Sequence, residues 1–114
     1  MRLLFIGDIV GESGRRFLFE QLASLSDEYR ADLIIANCEN AAGGFGITPK
    51  IAEEMLEKGI HVLTSGNHIW DKKEIVDYLS REQRLLRPAN YPEGVPGFGW
   101  VVIGSGADKI GILN

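Results

Sequence analysis

Apolar and polar positions alternate in blocks along this chain, and the blocks predict the order strand, helix, strand, helix, strand. Three short apolar runs predict strands at residues 2–6, 32–36 and 60–64, the first of them buried. Because helical segments separate these runs, the strands should pair in parallel through right-handed crossovers. The pattern therefore predicts an α/β fold with a parallel βαβαβ sheet and flanking helices.

Two of the connecting segments have the features of amphipathic helices. Residues 13–29 place four apolar side chains on one helical face: Leu18, Leu22, Leu25 and Tyr29. The second helix is predicted to begin after Thr48 as N-cap, with Pro49 at its first position and Gly59 just past its end. Its apolar face is formed by Ile51, Met55 and Leu56.

A short third helix and an irregular segment follow the third strand. Asp71 and Glu74 have the spacing of a capping box, with Asp in place of the usual Ser or Thr. This predicts a helix that opens at Asp71 and ends near Leu79. Prolines and glycines then predict irregular structure at residues 87–92 and 96–99.

The last part of the chain has the pattern of a β-hairpin. Apolar runs at residues 100–103 and 109–113 flank a glycine-bearing turn at 104–108. The chain then stops at Asn114, directly after an apolar run. We therefore expect residues 1–114 to be the N-terminal part of a single domain whose C-terminal half lies beyond them.

Three short polar motifs stand directly after the three predicted strands. They are Gly7-Asp8, Glu39-Asn40 and Gly66-Asn67-His68. Successive motifs are separated by about one βαβ unit, so they should lie at equivalent strand ends, which converge at one edge of the sheet. Carboxylate and amide oxygens are metal ligands, and His offers a nitrogen ligand or a proton. The set predicts a metal-centred hydrolytic site.

Each motif also has a structural interpretation. Asp8 alone is typical of a turn or a helix N-cap, Glu39-Asn40 of a polar loop start, and Asn67-His68 of a turn with a surface histidine. Three such motifs at equivalent strand ends favour the functional interpretation. The other histidine, His61, begins the third strand at the opposite end, and we expect a surface or half-buried side chain there.

Four further features leave alternatives open. The glycine-rich loop at 41–46 would bring amides to a phosphate, form a mobile rim, or simply connect two elements. For Cys38 we favour a small buried filler over a thiolate. Arg15 and Arg16 fit a solvated face better than an anion contact. Trp70 is expected to pack against the turn, with stacking on a base as the alternative.

Composition narrows the classes of function. The chain has 114 residues, 45% of them hydrophobic and 25% charged, which suffices for the core of one domain. A net charge of −4 argues against a general nucleic-acid binder. It does not exclude a nucleotide as ligand, because metal ions and backbone amides can also bind an anion. One cysteine excludes an intrachain disulfide, and the apolar N-terminus is too short for a signal peptide or membrane span. We expect a cytoplasmic protein.

The extended motifs resemble a known family. GDIVG at 7–11, NCENAAGGFGIT at 37–48 and GNHIWD at 66–71 are similar to the YmdB-like branch of the calcineurin-like metallophosphoesterases. The resemblance runs across essentially the whole chain, and the second and third motifs are long and specific. It implies the N-terminal half of a four-layer α/β/β/α fold, in agreement with the abrupt end of the chain.

The resemblance implies a role for each polar residue. Asp8 and Asn40 match ligands of a first metal ion, and Asn67 matches a ligand of a second. Glu39 matches the carboxylate that bridges the two ions, and His68 matches the general acid.

Two departures from the wider superfamily follow from the same comparison. The superfamily usually has Asp-x-His in its first motif, whereas this chain has Val10 at the third position, and in this branch Asn40 takes over that ligand role. The family also draws three histidine ligands from its C-terminal half. None of these can be located in residues 1–114.

The implied function is hydrolysis of phosphodiester bonds by a site with two divalent metal ions. Iron and manganese are the favoured metals, and other divalent metals are the alternative. Cyclic nucleotides, in particular 2′,3′-cyclic ones, are the implied substrate class. A phosphomonoesterase or nucleotidase on the same fold, and a non-catalytic regulator that binds nucleotide or metal, are the alternatives. The expected partner is a small phosphodiester or nucleotide, with no membrane and no general nucleic-acid binding. Self-association into a homo-oligomer and activity of residues 1–114 alone are left open.

Overall fold

A three-stranded parallel sheet forms the centre of the molecule. The computed structural model describes residues 1–104 and 108–114. The strands are β1 (Leu3–Ile6), β2 (Leu33–Asn37) and β3 (Val62–Thr64), in the order β1-β2-β3. The predicted parallel βαβαβ arrangement is confirmed, with strand ends within two residues of the predicted positions.

Two helices connect these strands as predicted, and a third, shorter helix follows β3. They are α1 (Gly11–Tyr29) and α2 (Pro49–Glu57), with α3 (Ile75–Leu79) following a 3-10 helix at Asn67–Trp70. At the start of α2, Oγ1 of Thr48 accepts a hydrogen bond from the backbone of Ile51 at 3.3 Å, which confirms the predicted N-cap. None of the helices in the described part of the chain is long and apolar enough to cross a membrane.

The predicted apolar face of α1 is correct at its centre and wrong at its end. Leu18 and Leu22 are buried, and Leu25 is half-buried. Tyr29, the last residue of the helix, is 53% exposed. The strands of the sheet have only three to five residues, whereas α1 has 19, so the helix is longer than the sheet it packs on.

The capping box predicted for Asp71 and Glu74 is wrong. The helix α3 begins at Ile75, and its N-cap Glu74 makes no side-chain capping hydrogen bond. Asp71 instead ends the 3-10 helix, and its carboxylate contacts His68. The end of α3 at Leu79 agrees with the prediction.

The two faces of the sheet pack against different layers. Alternate side chains such as Ile34 and Leu63 face the helices, while Leu33 and Ile35 face the hairpin formed by β4 (Trp100–Ile103) and β5 (Ile110–Leu113). The two hairpin strands are antiparallel, as predicted. The turn predicted between them falls partly on residues 105–107, which lie outside the described residues.

The strand β1 is less buried than its sequence indicates. Leu3 is 52% and Phe5 56% exposed, so the prediction of a buried strand is wrong for one of its faces. The cause is the placement of the hairpin, which packs on β2 and β3. An apolar groove lined by Leu3, Phe5 and residues 110–114 remains along β1.

The segment after α3 adds to the sheet although it has no regular strand. Leu85 and Leu86 are fully buried, and Leu86 donates a backbone hydrogen bond to Leu63 of β3 at 2.8 Å. Residues 87–92 and 96–99 are otherwise irregular, as their prolines and glycines predict.

Candidate functional site at the carboxyl edge of the sheet

The register of the strands places the three polar motifs side by side. Ile6 pairs with Ala36, and Asn37 pairs with Thr64, so all three strands end at one level. Because β2 is the central strand, the Glu39-Asn40 motif lies between the motif after β1 and the motif after β3. This arrangement is what the equal spacing of the motifs predicts.

Asp8 and Asn40 meet at one side of this edge. The side-chain nitrogen Nδ2 of Asn40 donates to both carboxylate oxygens of Asp8, at 3.0 and 2.9 Å. The N-cap of α1 is Val10, which makes no side-chain capping bond. Asp8 is therefore not a helix cap, and the structural interpretation of that residue as an N-cap is wrong.

Glu39 reaches to the other side of the edge. Its Oε2 accepts a hydrogen bond from the backbone N–H of His68 at 3.4 Å, and its Oε1 accepts one from Nδ2 of Asn37 at 3.5 Å. A Cβ atom added to Gly66 would lie 2.7 Å from Cδ of Glu39 and still nearer to its oxygens. Only glycine fits at position 66 while the carboxylate keeps this place.

Asn37 is a site residue that the sequence analysis missed. Its Oδ1 accepts the backbone N–H of Glu39 at 3.2 Å, in addition to the side-chain contact with Oε1. The signal was present, since Asn37 is a polar residue at the end of an otherwise apolar strand and opens the second motif. Asn37 holds Glu39 from two directions.

His68 is held by Asp71. Nδ1 of His68 lies 2.7 Å from Oδ2 of Asp71, and both side chains are partly exposed. The ring of Phe45 packs edge-on against the imidazole, with 5.7 Å between the ring centroids. Since Nδ1 is occupied by the carboxylate, Nε2 is the nitrogen left to contact another molecule. This pairing is the second contact that sequence reasoning missed, because the motif spacing also fits a capping box.

Asn67 is exposed at the first position of the 3-10 helix, next to His68. In the described ranges, no three or more His, Cys, Asp or Glu side chains are grouped closely enough to hold a metal ion. Of the four predicted ligands only Asp8 and Glu39 are carboxylates. Any metal site here therefore depends on the amide oxygens of Asn40 and Asn67 as well.

The donor set fits a divalent cation. The amide of Asn40 lies within hydrogen-bond distance of Asp8, and a half-turn of that amide presents its oxygen instead of its nitrogen to the same space. Hard divalent cations bind carboxylate and amide oxygens of this kind. Asp8, Glu39, Asn40 and Asn67 together are therefore suitable ligands, although they are too few to fill the shells of two ions.

The glycine-rich loop is a folded turn rather than a loose connection. The backbone of Ala42 donates to the carbonyl of Gly46 at 2.8 Å. The carbonyl of Asn40 accepts from the backbone of both Gly11, at 2.9 Å, and Gly44, at 3.1 Å. These hydrogen bonds connect the loop to the start of α1 through Asn40, the residue whose side chain contacts Asp8.

Arg15 strengthens this connection. Nη1 of Arg15 donates to the carbonyl of Ala41, and the side chain is half-buried, whereas Arg16 is exposed. The prediction of a solvated face is confirmed for Arg16 and wrong for Arg15. The reason is that the loop folds back over the first turns of α1 and brings a carbonyl to the guanidinium.

Cys38 and His61 lie as the sequence analysis expected. Cys38 is fully buried, its Sγ donates to the carbonyl of Thr64 at 3.2 Å, and burial raises the pKa of its thiol well above its ordinary value. His61 is exposed at the amino end of β3, where its Nδ1 accepts from the backbone of Ile34 at 3.0 Å. Neither residue belongs to the candidate site.

Trp70 has a packing role. Its ring meets the ring of Tyr91 at 5.4 Å between centroids, and its indole nitrogen is buried. This confirms the packing interpretation and leaves little of the ring for stacking on a base.

A family model and curated relatives match this chain. The model described as YmdB-like protein matches residues 4–114. The chain is 43% identical over 114 residues to a protein of Bacillus subtilis (strain 168) named 2′,3′-cyclic-nucleotide 2′-phosphodiesterase, covering 43% of that protein. It is 37% identical over 90 residues, 79% of the chain, to a putative phosphatase/phosphodiesterase of Mycoplasma pneumoniae, covering 32% of it.

Two solved structures have the same fold. A hypothetical protein from Thermus thermophilus superposes with a TM-score of 0.90 at 40% identity, over 99% of this chain and 44% of that one. A protein described as a novel phosphatase from Mycoplasma pneumoniae superposes with a TM-score of 0.89 at 34% identity, over 97% of this chain and 41% of that one. The chain thus spans less than half the length of the relatives it matches.

Proposed function

The chain belongs to the YmdB-like protein family, and from that membership we propose that it provides the acid and part of the metal site of a phosphodiesterase. The proposed substrates are cyclic nucleotides, and 2′,3′-cyclic ones in particular. The observation that carries the proposal is the carboxyl edge of the sheet. There the hydrogen-bonded side chains of Asp8 and Asn40, the carboxylate of Glu39 and the pair of His68 and Asp71 lie side by side. The name of the Bacillus subtilis relative supports the same substrate class.

Four side chains would hold two divalent metal ions in this proposal. They are Asp8 and Asn40 for the first ion, Asn67 for the second, and Glu39 between them. When bound, such ions act as Lewis acids and neutralise charge on the phosphoryl oxygens of the substrate. We favour iron or manganese as the metals. His61 and His68 are the only histidines of the sequence, and neither is a proposed ligand, so histidine ligands would have to come from outside residues 1–114.

His68 would supply the proton for the leaving group. In hydrolysis a water oxygen bonds to phosphorus while the bond from phosphorus to the leaving ribose oxygen breaks. Asp71 holds Nδ1 of His68, so Nε2 is the nitrogen that would give its proton to that oxygen. The attacking water loses a proton to solvent and the ring of His68 takes one back from solvent, so the protons balance over one turnover.

A phosphomonoesterase is the second candidate. One relative is named putative phosphatase/phosphodiesterase, and one structural neighbour is described as a novel phosphatase. Hydrolysis of a diester leaves a monoester and hydrolysis of a monoester leaves inorganic phosphate, so assaying both substrates on one preparation separates the two activities. The location in the cytoplasm and the formation of a homo-oligomer stay predictions.

The test compares matched variants of the two histidines in the purified full-length protein that contains residues 1–114, loaded with manganese or iron. His68→Asn should lower the turnover of a 2′,3′-cyclic nucleotide by about 10²- to 10⁴-fold, the usual contribution of general acid catalysis. His61→Asn, at the opposite end of β3, should retain most of the turnover. Metal content should be the same in both, by elemental analysis. Equal turnover by the two variants, or none by the loaded parent protein, would contradict the proposal.

A further inference from the structure

We propose that Phe45 is the surface on which the nucleobase of the substrate stacks. This inference rests on the proposed function, since it assigns the base to one side of the same site. It gives the chain a selectivity for phosphoesters that have a planar aromatic base over phosphoesters that lack one.

Phe45 is placed where a base would need it. Its side chain is 60% exposed, and its ring centroid lies 5.7 Å from that of His68, with 64° between the ring planes. In the edge-on arrangement a large part of the phenyl ring stays open to solvent beside the proposed acid.

The loop fixes this position of Phe45. Gly44 and Gly46, its two neighbours, have φ angles of 95° and 71°, which only glycine adopts readily. A Cβ atom at Gly46 would lie 3.1 Å from the carbonyl oxygen of His68, so the loop backbone is packed directly on the 3-10 helix. The phenyl ring is therefore presented by an ordered turn, which limits the entropy lost when a ligand stacks on it.

A base suits this surface better than another partner because of the neighbouring chemistry. Stacking on an aromatic side chain is available to every base, since each has a π-face. The proposed phosphate position beside His68 would hold the other end of the same ligand. Trp70, which follows His68 on the 3-10 helix, packs on Tyr91 with its indole nitrogen buried, so it is less available for stacking than the exposed Phe45.

The test measures equilibrium binding of two product-like ligands, adenosine 3′-monophosphate and the base-free ribose 5-phosphate, by titration calorimetry. In Phe45→Ala the dissociation constant of the adenosine nucleotide should rise by about tenfold or more, in line with other base–aromatic contacts. The dissociation constant of ribose 5-phosphate should stay within twofold. Phe45→Trp should restore the preference for the adenosine nucleotide.

Phe17→Ala is the matched control, because Phe17 is also an exposed phenylalanine, at 68%, but lies on α1. It should change neither constant. If Phe45→Ala weakens both ligands equally, Phe45 only supports His68, and the inference is overturned while the proposed function stands. If the base preference depends on Phe45 but no phosphoester is hydrolysed, the proposed function fails and the binding site remains.

Discussion

Nδ1 of His68 lies 2.7 Å from Oδ2 of Asp71, and the backbone N–H of Asp71 donates to the carbonyl of His68 at 3.1 Å. Residues three apart are eclipsed in a 3-10 helix, and this local geometry brings both contacts about. One short turn therefore holds the imidazole through Nδ1 and leaves Nε2 as the nitrogen that can contact another molecule.

This pairing predicts the effect of Asp71→Asn. The amide keeps the size of the side chain but removes the carboxylate that holds Nδ1 and sets the tautomer of the ring, so we expect kcat to fall roughly tenfold to a hundredfold, with KM little changed. Nitrogen-15 shifts of the His68 ring should report a change in protonation or tautomer. Asp77→Asn, an exposed carboxylate of α3, is the control and should change neither. A fall in metal content with unchanged kcat per bound metal would contradict this role.

The sequence predicts the sheet and the convergence of the motifs because both follow from periodicity and spacing, which are local properties. Asp71 illustrates the limit, since its spacing to Glu74 fits a capping box and its spacing to His68 fits a 3-10 turn. Only packing decides between them. Likewise Arg15 looks like any surface arginine until the glycine loop folds over it. The half-exposed face of β1 also could not be predicted, because it depends on how far the hairpin reaches.

The contact between Gly66 and Glu39 predicts the loss of metal binding in Gly66→Ala. The new methyl group would overlap the carboxylate and displace it, and the fold should be kept because the overlapped atoms are the far end of a flexible side chain. We expect manganese affinity, measured by titration calorimetry, to fall at least tenfold. Gly7→Ala is the matched control at the end of β1, where a Cβ atom meets nothing within 4 Å. Equal affinities in the two variants would show that Glu39 does not bind the metal.

The packing of the glycine loop on the 3-10 helix predicts unequal effects of two glycine substitutions. Gly43 and Gly46 have nearly the same φ, 67° and 71°, so alanine costs about 1–2 kcal/mol at each through backbone strain alone. Only Gly46 also has close neighbours, the carbonyl of His68 and the side chain of Lys72, both at 3.1 Å. Overpacking should add about 1 kcal/mol, so Gly46→Ala should lower Tm by roughly 5 °C more than Gly43→Ala. Identical melting curves would mean that the loop is not packed on the helix.

The hydrogen bond from Arg15 to Ala41 predicts a stability difference between two neighbouring arginines. Arg15→Ala leaves the Ala41 carbonyl without its charged donor and should reduce the free energy of unfolding by about 1.5 kcal/mol. Arg16 is exposed, so Arg16→Ala should change it by less than about 0.5 kcal/mol. Urea unfolding measures both, and amide exchange of residues 41–46 should accelerate in Arg15→Ala alone. Faster amide exchange in both variants would argue against a specific stabilisation of the loop by the hydrogen bond of Arg15.

The burial of Cys38 predicts how stability depends on pH. Burial raises the pKa of this thiol above its ordinary value of 9.0, so the folded chain keeps the proton while the unfolded chain loses it. The unfolded state then binds fewer protons, and the stability that the neutral thiol contributes is present below pH 9 and is lost as the pH rises above it.

Comparison with Cys38→Ala isolates this effect from the other groups that titrate in alkali. The difference in unfolding free energy between the two proteins should be constant below pH 9 and should then fall by about 1.4 kcal/mol per pH unit. The native protein should also resist thiol reagents at pH 8, and the single thiol should react fully in urea. Rapid labelling of the native protein would show that Cys38 is accessible, and the difference between the two pH curves should then vanish.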